Sequence, residues 1–179
     1  MSKGLYVFLM CLGVVSCGDG TGIEEKIRKN LNDPDSAKFR DVVVSESGRR
    51  ACVGWNAKNM MGGYGEWKFA RLEKKDSDWF VENMDIPESE CSKLSLKAID
   101  VQGSAWIEAS QRAIDMLQKA RSITRAEAIE LAKESGGECG ALSFQYSFDF
   151  SMLESNKILG DFSKVEGFSK NIKPLEDML

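Results

Sequence analysis

Between residues 23 and 82, one short helix-like stretch is followed by four runs rich in β-branched and aromatic residues, each closed by turn residues. This order leaves few folds open. A strand that turns apolar side chains to one face needs a cover, and short turns between neighbours impose antiparallel pairing. Thr21-Gly22-Ile23-Glu24 has the form of a capping box, with Thr21 as N-cap and Glu24 three residues on. Ile23, Ile27 and Leu31 then repeat every fourth residue, and Asp33-Pro34-Asp35 ends the helix. Val42 to Val44 reads as a first strand, with Glu46-Ser47-Gly48-Arg49 as its turn. Ala51 to Asn56 is a second, with Val53 and Trp55 on one face. A polar, glycine-rich loop runs from Ala57 to Gly65. In the third strand Trp67, Phe69 and Arg71 alternate with Lys68, Ala70 and Leu72. Asp76-Ser77-Asp78 turns into the fourth, Trp79 to Glu82. The pattern predicts an α+β fold, a helix on an antiparallel meander.

The second part, residues 95–179, predicts a helix-helix-strand extension. Ser104 is placed to cap a helix whose Trp106, Ala109, Ala113, Ile114 and Leu117 share a face. Thr124-Arg125-Ala126-Glu127 is a second capping box, leading into Ala128, Ile129, Leu131 and Ala132, with Gly136-Gly137 as the stop. Then Leu142, Phe144, Tyr146, Phe148 and Phe150 alternate with Ser143, Gln145, Ser147, Asp149 and Ser151. That period of two predicts a strand with five large side chains on one face. Such a stripe is read as core in preference to a carbohydrate platform; left uncovered, it would be an interaction patch. The tail from Asn156 to Leu179 is expected to end in a frayed helix.

The amino-terminal end carries a different message. Lys3 precedes an uncharged run, Leu5 to Val15 (LYVFLMCLGVV), whose end leads into the motif Val14-Val15-Ser16-Cys17. At about 1.5 Å per residue the run is too short for a bilayer core of about 30 Å, and has the length of a signal-peptide hydrophobic region. The end of the run resembles the lipobox of bacterial lipoproteins. That resemblance implies cleavage after Ser16 and lipid on the Cys17 thiol. Gly18 stands where an Asp would mark inner-membrane retention, which favours the outer membrane. Two or more acyl chains give stable anchoring. The expected organisation is a signal peptide over 1–16, a lipidated end and linker over 17–22, a domain over 23–94 and an extension over 95–179.

Of five cysteines, Cys11 leaves with the signal and Cys17 carries lipid. Cys52, Cys91 and Cys139 remain, and in an oxidising compartment two of them are expected to pair. Three pairings are open. Cys52–Cys91 is favoured because both flank the predicted sheet, and the alternative is three unreactive thiols.

The chain has no histidine, which removes Ser-His-Asp and Cys-His sites, histidine-ligated zinc and a histidine base. With 24 basic and 28 acidic residues its net charge is −4, so no nucleic-acid partner is expected. No glycine-rich phosphate motif, cofactor signature or C-x-x-C pair is present, and no cofactor or metal is expected. Asp33 and Asp35 read as turn formers. Asn56, Lys58, Asn59, Gly62, Gly63 and Tyr64 make the strongest candidate binding loop: amide donors, a cation, an aromatic ring and glycines that allow close approach. The plainer alternative is that both asparagines satisfy the loop's own backbone.

The segment Asp33-Pro34-Asp35-Ser36-Ala37-Lys38-Phe39-Arg40, followed by Cys52-Val53-Gly54-Trp55-Asn56-Ala57-Lys58-Asn59-Met60-Met61-Gly62-Gly63-Tyr64, resembles a family of small bacterial and phage-associated lipoproteins of unknown function. Its members show D-P-x-S-A-x-F-R, then C-G-x-x-N-x-K-N-x-x-G-G-Y, and a later cysteine that Cys91 would match. Val53 departs from the glycine usual after the first cysteine. The resemblance covers roughly residues 21 to 91 and implies a class, not a mechanism; its phage association implies interference with a surface receptor. The expectation is a lipid-anchored envelope protein at the outer membrane facing the periplasm. It would be held by acyl chains on Cys17 and bind an envelope protein or glycan without catalysis. The alternative is an envelope enzyme acting on cell-wall glycans through carboxylates.

Overall fold

The computed structural model describes residues 20–179, so the signal segment, the Ser16 cleavage point and the Cys17 lipid lie outside the described residues. The first helix, α1 (Gly20–Arg28), starts ahead of the expected Thr21 cap. Ile23 and Ile27 are fully buried on one side of it, as the four-residue repeat demands. A short 3-10 turn, Pro34–Ser36, follows, with the Asp33 carboxylate accepting from the Ser36 amide.

Four strands come next: β1 (Lys38–Val44), β2 (Arg50–Asn56), β3 (Lys68–Lys75) and β4 (Asp78–Ile86). They form an antiparallel sheet in the order β1-β2-β3-β4, the predicted meander. Register pairs Phe39 with Trp55, Val53 with Ala70 and Leu72 with Val81. Alternation then sorts the side chains. Ala51, Val53, Ala70, Leu72 and Trp79 pack with Ile23 and Ile27 of α1. Cys52, Phe69 and Ile86 form a second cluster with Cys91 and Leu96. β2 is therefore covered on both faces. Cys52 and Cys91 are joined by a disulfide, with their Cα atoms 5.4 Å apart. β1 bulges between Arg40 and Val43, where Asp41 takes a left-handed backbone at φ 53°.

The rest is helical: α2 (Lys93–Arg121), α3 (Arg125–Lys133), α4 (Glu138–Leu159) and α5 (Phe162–Met178). α2 spans the expected boundary at residue 94: Leu96 belongs to the disulfide cluster, while Ala109, Ala113 and Leu117 belong to the helical core. Its cap is Ser92, whose hydroxyl accepts from the Ser95 amide at 3.0 Å, and not Ser104. Ser104 sits mid-helix and turns its hydroxyl back to the Asp100 carbonyl at 3.1 Å. The predicted box at the start of α3 is present, with Thr124 and Glu127 bonding reciprocally.

The predicted strand over Leu142–Ser151 is instead the middle of α4. Tyr146 is core, but Phe144 and Phe148 face solvent at 61% and 39% exposure. The buried face is set by Ser143, Ser147, Ser151 and Ser155, four apart, packed mainly against α2 with its buried Ala105, Ala109 and Ala113. Small residues at the helical period let two helices approach closely, and this seam overrides the aromatic alternation. The tail is also firmer than expected. α5 runs to Met178 and buries Leu175 and Leu179 against Tyr146. α3 ends at Lys133, and α4 turns back so closely that a side chain at Gly140 would lie 2.1 Å from the Glu134 carbonyl oxygen.

Candidate functional site

The β2–β3 connection holds the predicted loop residues together. Asn56, buried at the end of β2, donates to the Gly65 carbonyl at 2.9 Å. The Asn59 side-chain oxygen accepts from the amides of Met61 at 2.9 Å and Gly63 at 3.1 Å. Gly62 takes φ +80°, a backbone that a side chain would strain. The Lys58 amide donates to Ser36 Oγ at 2.9 Å and the Tyr64 hydroxyl to the Ser36 carbonyl at 3.0 Å, which ties the loop to the 3-10 turn. Both asparagines are thus committed to the loop's own backbone. What the loop offers outward is its tip. Met60 and Met61 are 95% exposed, and the Lys38 ammonium lies over the Tyr64 ring at 4.2 Å. Among the described residues the side chain of Lys58 has no ion pair.

Orientation follows from register. Trp55 pairs with Lys68 at the loop end of the sheet, and Lys75 with Asp78 at the other. α1 enters at that other end: Gly22 lies beside Trp79, and the Lys26 ammonium reaches Asp78 at 2.5 Å. The chain's amino-terminal approach and the methionine tip therefore sit at opposite ends of the sheet.

Sequence reading did not find a second concavity, a cleft of about 600 Å³ where the β1–β2 turn meets α2 and α4. Val101, Ala105 and Phe150 give it apolar walls, and Glu46, Asp100, Glu108 and Glu154 line it with carboxylates. No local signal marks these residues, because only helix packing brings Glu154 near Glu46. Each carboxylate is taken by a cation. Glu46 pairs with Lys97 at 3.3 Å, Asp100 with Arg50 at 2.9 Å, Glu108 with Arg112 at 2.5 Å and Glu154 with Lys157 at 2.6 Å. The cleft is thus walled by separate carboxylate–cation pairs, most of them open to solvent.

Of these pairs, Asp100–Arg50 extends into a network. Arg50 also reaches Glu82 at 2.6 Å, and Arg71 contacts Glu82 at 2.9 Å and Glu90 at 3.1 Å. Burial works against the Glu82 charge, but the hydrogen bonds and charges of Arg50 and then Arg71 outweigh it and hold this carboxyl below its usual range. Asp33 and Asp35 lie at the 3-10 turn, and among the described residues no cluster of three or more candidate ligands is placed to hold a metal. Among them, too, no helix is long and apolar enough to cross a membrane. No known protein family, curated protein or solved structure matches the chain.

Proposed function

We propose that this chain is a bacterial envelope lipoprotein of the kind its paired motifs resemble. Cleavage after Ser16 leaves Cys17 to carry acyl chains that hold the body at the outer membrane, facing the periplasm. The body works by binding an envelope protein or a glycan. The observation that carries this reading is the Cys52–Cys91 disulfide, which belongs to an oxidising compartment and agrees with export. The short apolar leader and the Ser16-Cys17 junction supply the route.

The contact surface in this reading is the loop tip: Lys58, Met60, Met61 and the face of Tyr64. Its bonds to Asn59 and Ser36 hold it in shape before any partner arrives, which lowers the ordering cost of association. Entry of α1 at the far end of the sheet favours presenting this tip away from an amino-terminal anchor. Interference with a surface receptor is one use such a tip would serve.

Two experiments separate the halves of this reading. Cys17→Ser should abolish palmitate incorporation and leave unprocessed precursor; normal acylation and membrane retention of that variant would discard the anchor. A photocrosslinking residue at position 60 in intact cells should give one discrete adduct, diminished by Lys58→Ala and Met61→Ser. Absence of any adduct would discard the loop as the contact surface while leaving the anchor standing.

A further inference from the structure

Only Gly18 and Asp19 stand between Cys17 and Gly20, where α1 begins. Three Cα steps of about 3.8 Å span at most about 11 Å, so acyl chains on Cys17 keep the start of α1 within that distance of the headgroups. That start has a definite place on the body. Gly22 lies beside Trp79, and at the far end of the helix the Arg28 guanidinium sits over the Phe39 ring at 4.9 Å, with Phe39 paired to Trp55. α1 therefore runs along the sheet from the β3–β4 turn toward the loop. The β1–β2 turn stands beside the β3–β4 turn, since the Lys74 amide donates to the Arg49 carbonyl at 2.7 Å. Together the two turns border an open concavity of about 690 Å³, lined by Arg49, Glu73, Lys74, Lys75 and Asp76. The Glu73 carboxylate is shared by Arg50 and Lys75. Among the described residues neither Arg49 nor Lys74 has an ion pair, and the Lys74 ammonium lies over the Trp79 ring at 5.4 Å. Phe80, next to the turn, is 48% exposed, with the Lys26 ammonium 5.8 Å from its ring.

We propose that this end of the sheet seats on phospholipid headgroups. The inference rests on the acylated Cys17 of the proposed function and adds a second, non-covalent contact to it. The short tether holds the two turns at the bilayer. Arg49 and Lys74 meet headgroup phosphates, Asp76 meets a headgroup ammonium, and Phe80 enters the interfacial layer. A body on a tether alone is free to swing, and the added contact gives it one orientation. The eight residues of β3, at about 3.3 Å each, then set the Met60–Met61 tip roughly 25 Å or more farther out. The partner of the tip has to reach that height above the membrane.

The mature chain is placed in vesicles of phosphatidylethanolamine and phosphatidylglycerol, with a photocrosslinking residue at Ser77 in the β3–β4 turn or at Met60, and adducts are identified by mass. The same spectra read acylation at Cys17. Position 77 should give phospholipid adducts and position 60 none. An acylated chain with no lipid adduct from position 77, or with as many from position 60, overturns the seating and leaves the anchor standing. A chain without acyl groups removes the premise, and the anchor falls with it. Lengthening the tether after Asp19 by about twenty flexible Gly and Ser residues should leave most of the position 77 adducts in place. Arg49→Gln, Lys74→Gln and Phe80→Ser together should then remove them, with helical signal unchanged. Loss of the adducts on lengthening alone, or their survival through the triple substitution, overturns the contact assigned to these residues. In intact cells, a discrete protein adduct from position 77 in place of lipid would give this end to a protein partner and overturn the seating.

Discussion

The two halves of the molecule reach a packed interior by opposite means. In the sheet half the core is made of bulk: Ile23, Ile27, Val53, Leu72 and Trp79, with the Cys52–Cys91 bridge beneath. In the helical half α2 and α4 close on Ala105, Ala109 and Ala113 and on a ladder of four serines, with Tyr146 as the one large, fully buried side chain. The first half gains stability from apolar area removed from water; the second gains from close approach, which leaves little room for growth. A substitution that shrinks a side chain should therefore hurt the sheet half, and one that enlarges a side chain should hurt the bundle.

The largest effect should come from the bridge. Cys52→Ser with Cys91→Ser is expected to cost about 2–5 kcal/mol, read from urea unfolding with and without reductant. Tryptophan emission should report it first, since Trp55, Trp67 and Trp79 lie in or beside the sheet and only Trp106 in the bundle. If the signal at 222 nm falls in step with emission at every urea concentration, the halves are one cooperative unit and the contrast is only of packing style. Next comes Ala109→Leu, which forces a larger side chain into the seam and should cost about 1–3 kcal/mol. A neutral result there would mean that the seam is not closely packed.

Glu82→Gln sharpens the comparison at the junction, and its sign depends on pH. The native carboxyl sits below its ordinary value of 4.5 because Arg50 and Arg71 outweigh burial. Its stabilisation is complete above that value and is lost as pH falls through the depressed native one. The variant should therefore lose about 1–2 kcal/mol at neutral pH and converge on the parent below pH 4.5. Convergence in the alkaline direction would contradict the role given to the two arginines. Smallest is Thr124→Ala, which removes one side of the α3 capping box and should cost about 1 kcal/mol, seen as earlier loss of helical signal on heating.

The same contrast decides how much could be read in advance. Strand alternation is carried by large residues, so Val53 against Cys52 and Leu72 against Arg71 already sorted two faces, and the meander followed. In α4 the large residues misled. Phe144 and Phe148 occupy the solvent side, and the true face is written in Ser143, Ser147, Ser151 and Ser155, which a hydrophobicity pattern passes over. The four-residue spacing of those serines was the available signal. α2 began earlier than expected because Ser92 caps it and Gly103 sits inside the helix without ending it. The loop was legible as a unit. The roles within it were not, because only the folded turn shows Asn56 and Asn59 spent on backbone and Met60 and Met61 left outside. The cleft had no local signature, since its walls are distant in sequence and meet only through α2 and α4.

α2 has a mechanical consequence. Its 29 residues run unbroken from the disulfide cluster into the bundle, a strut of about 44 Å at 1.5 Å per residue. Its base is clamped on one side by Leu96 against Cys52 and Cys91, and on the other by Asp100 held to Arg50. A helix so fixed joins the bundle to the covalent bridge directly, with no loop between the two.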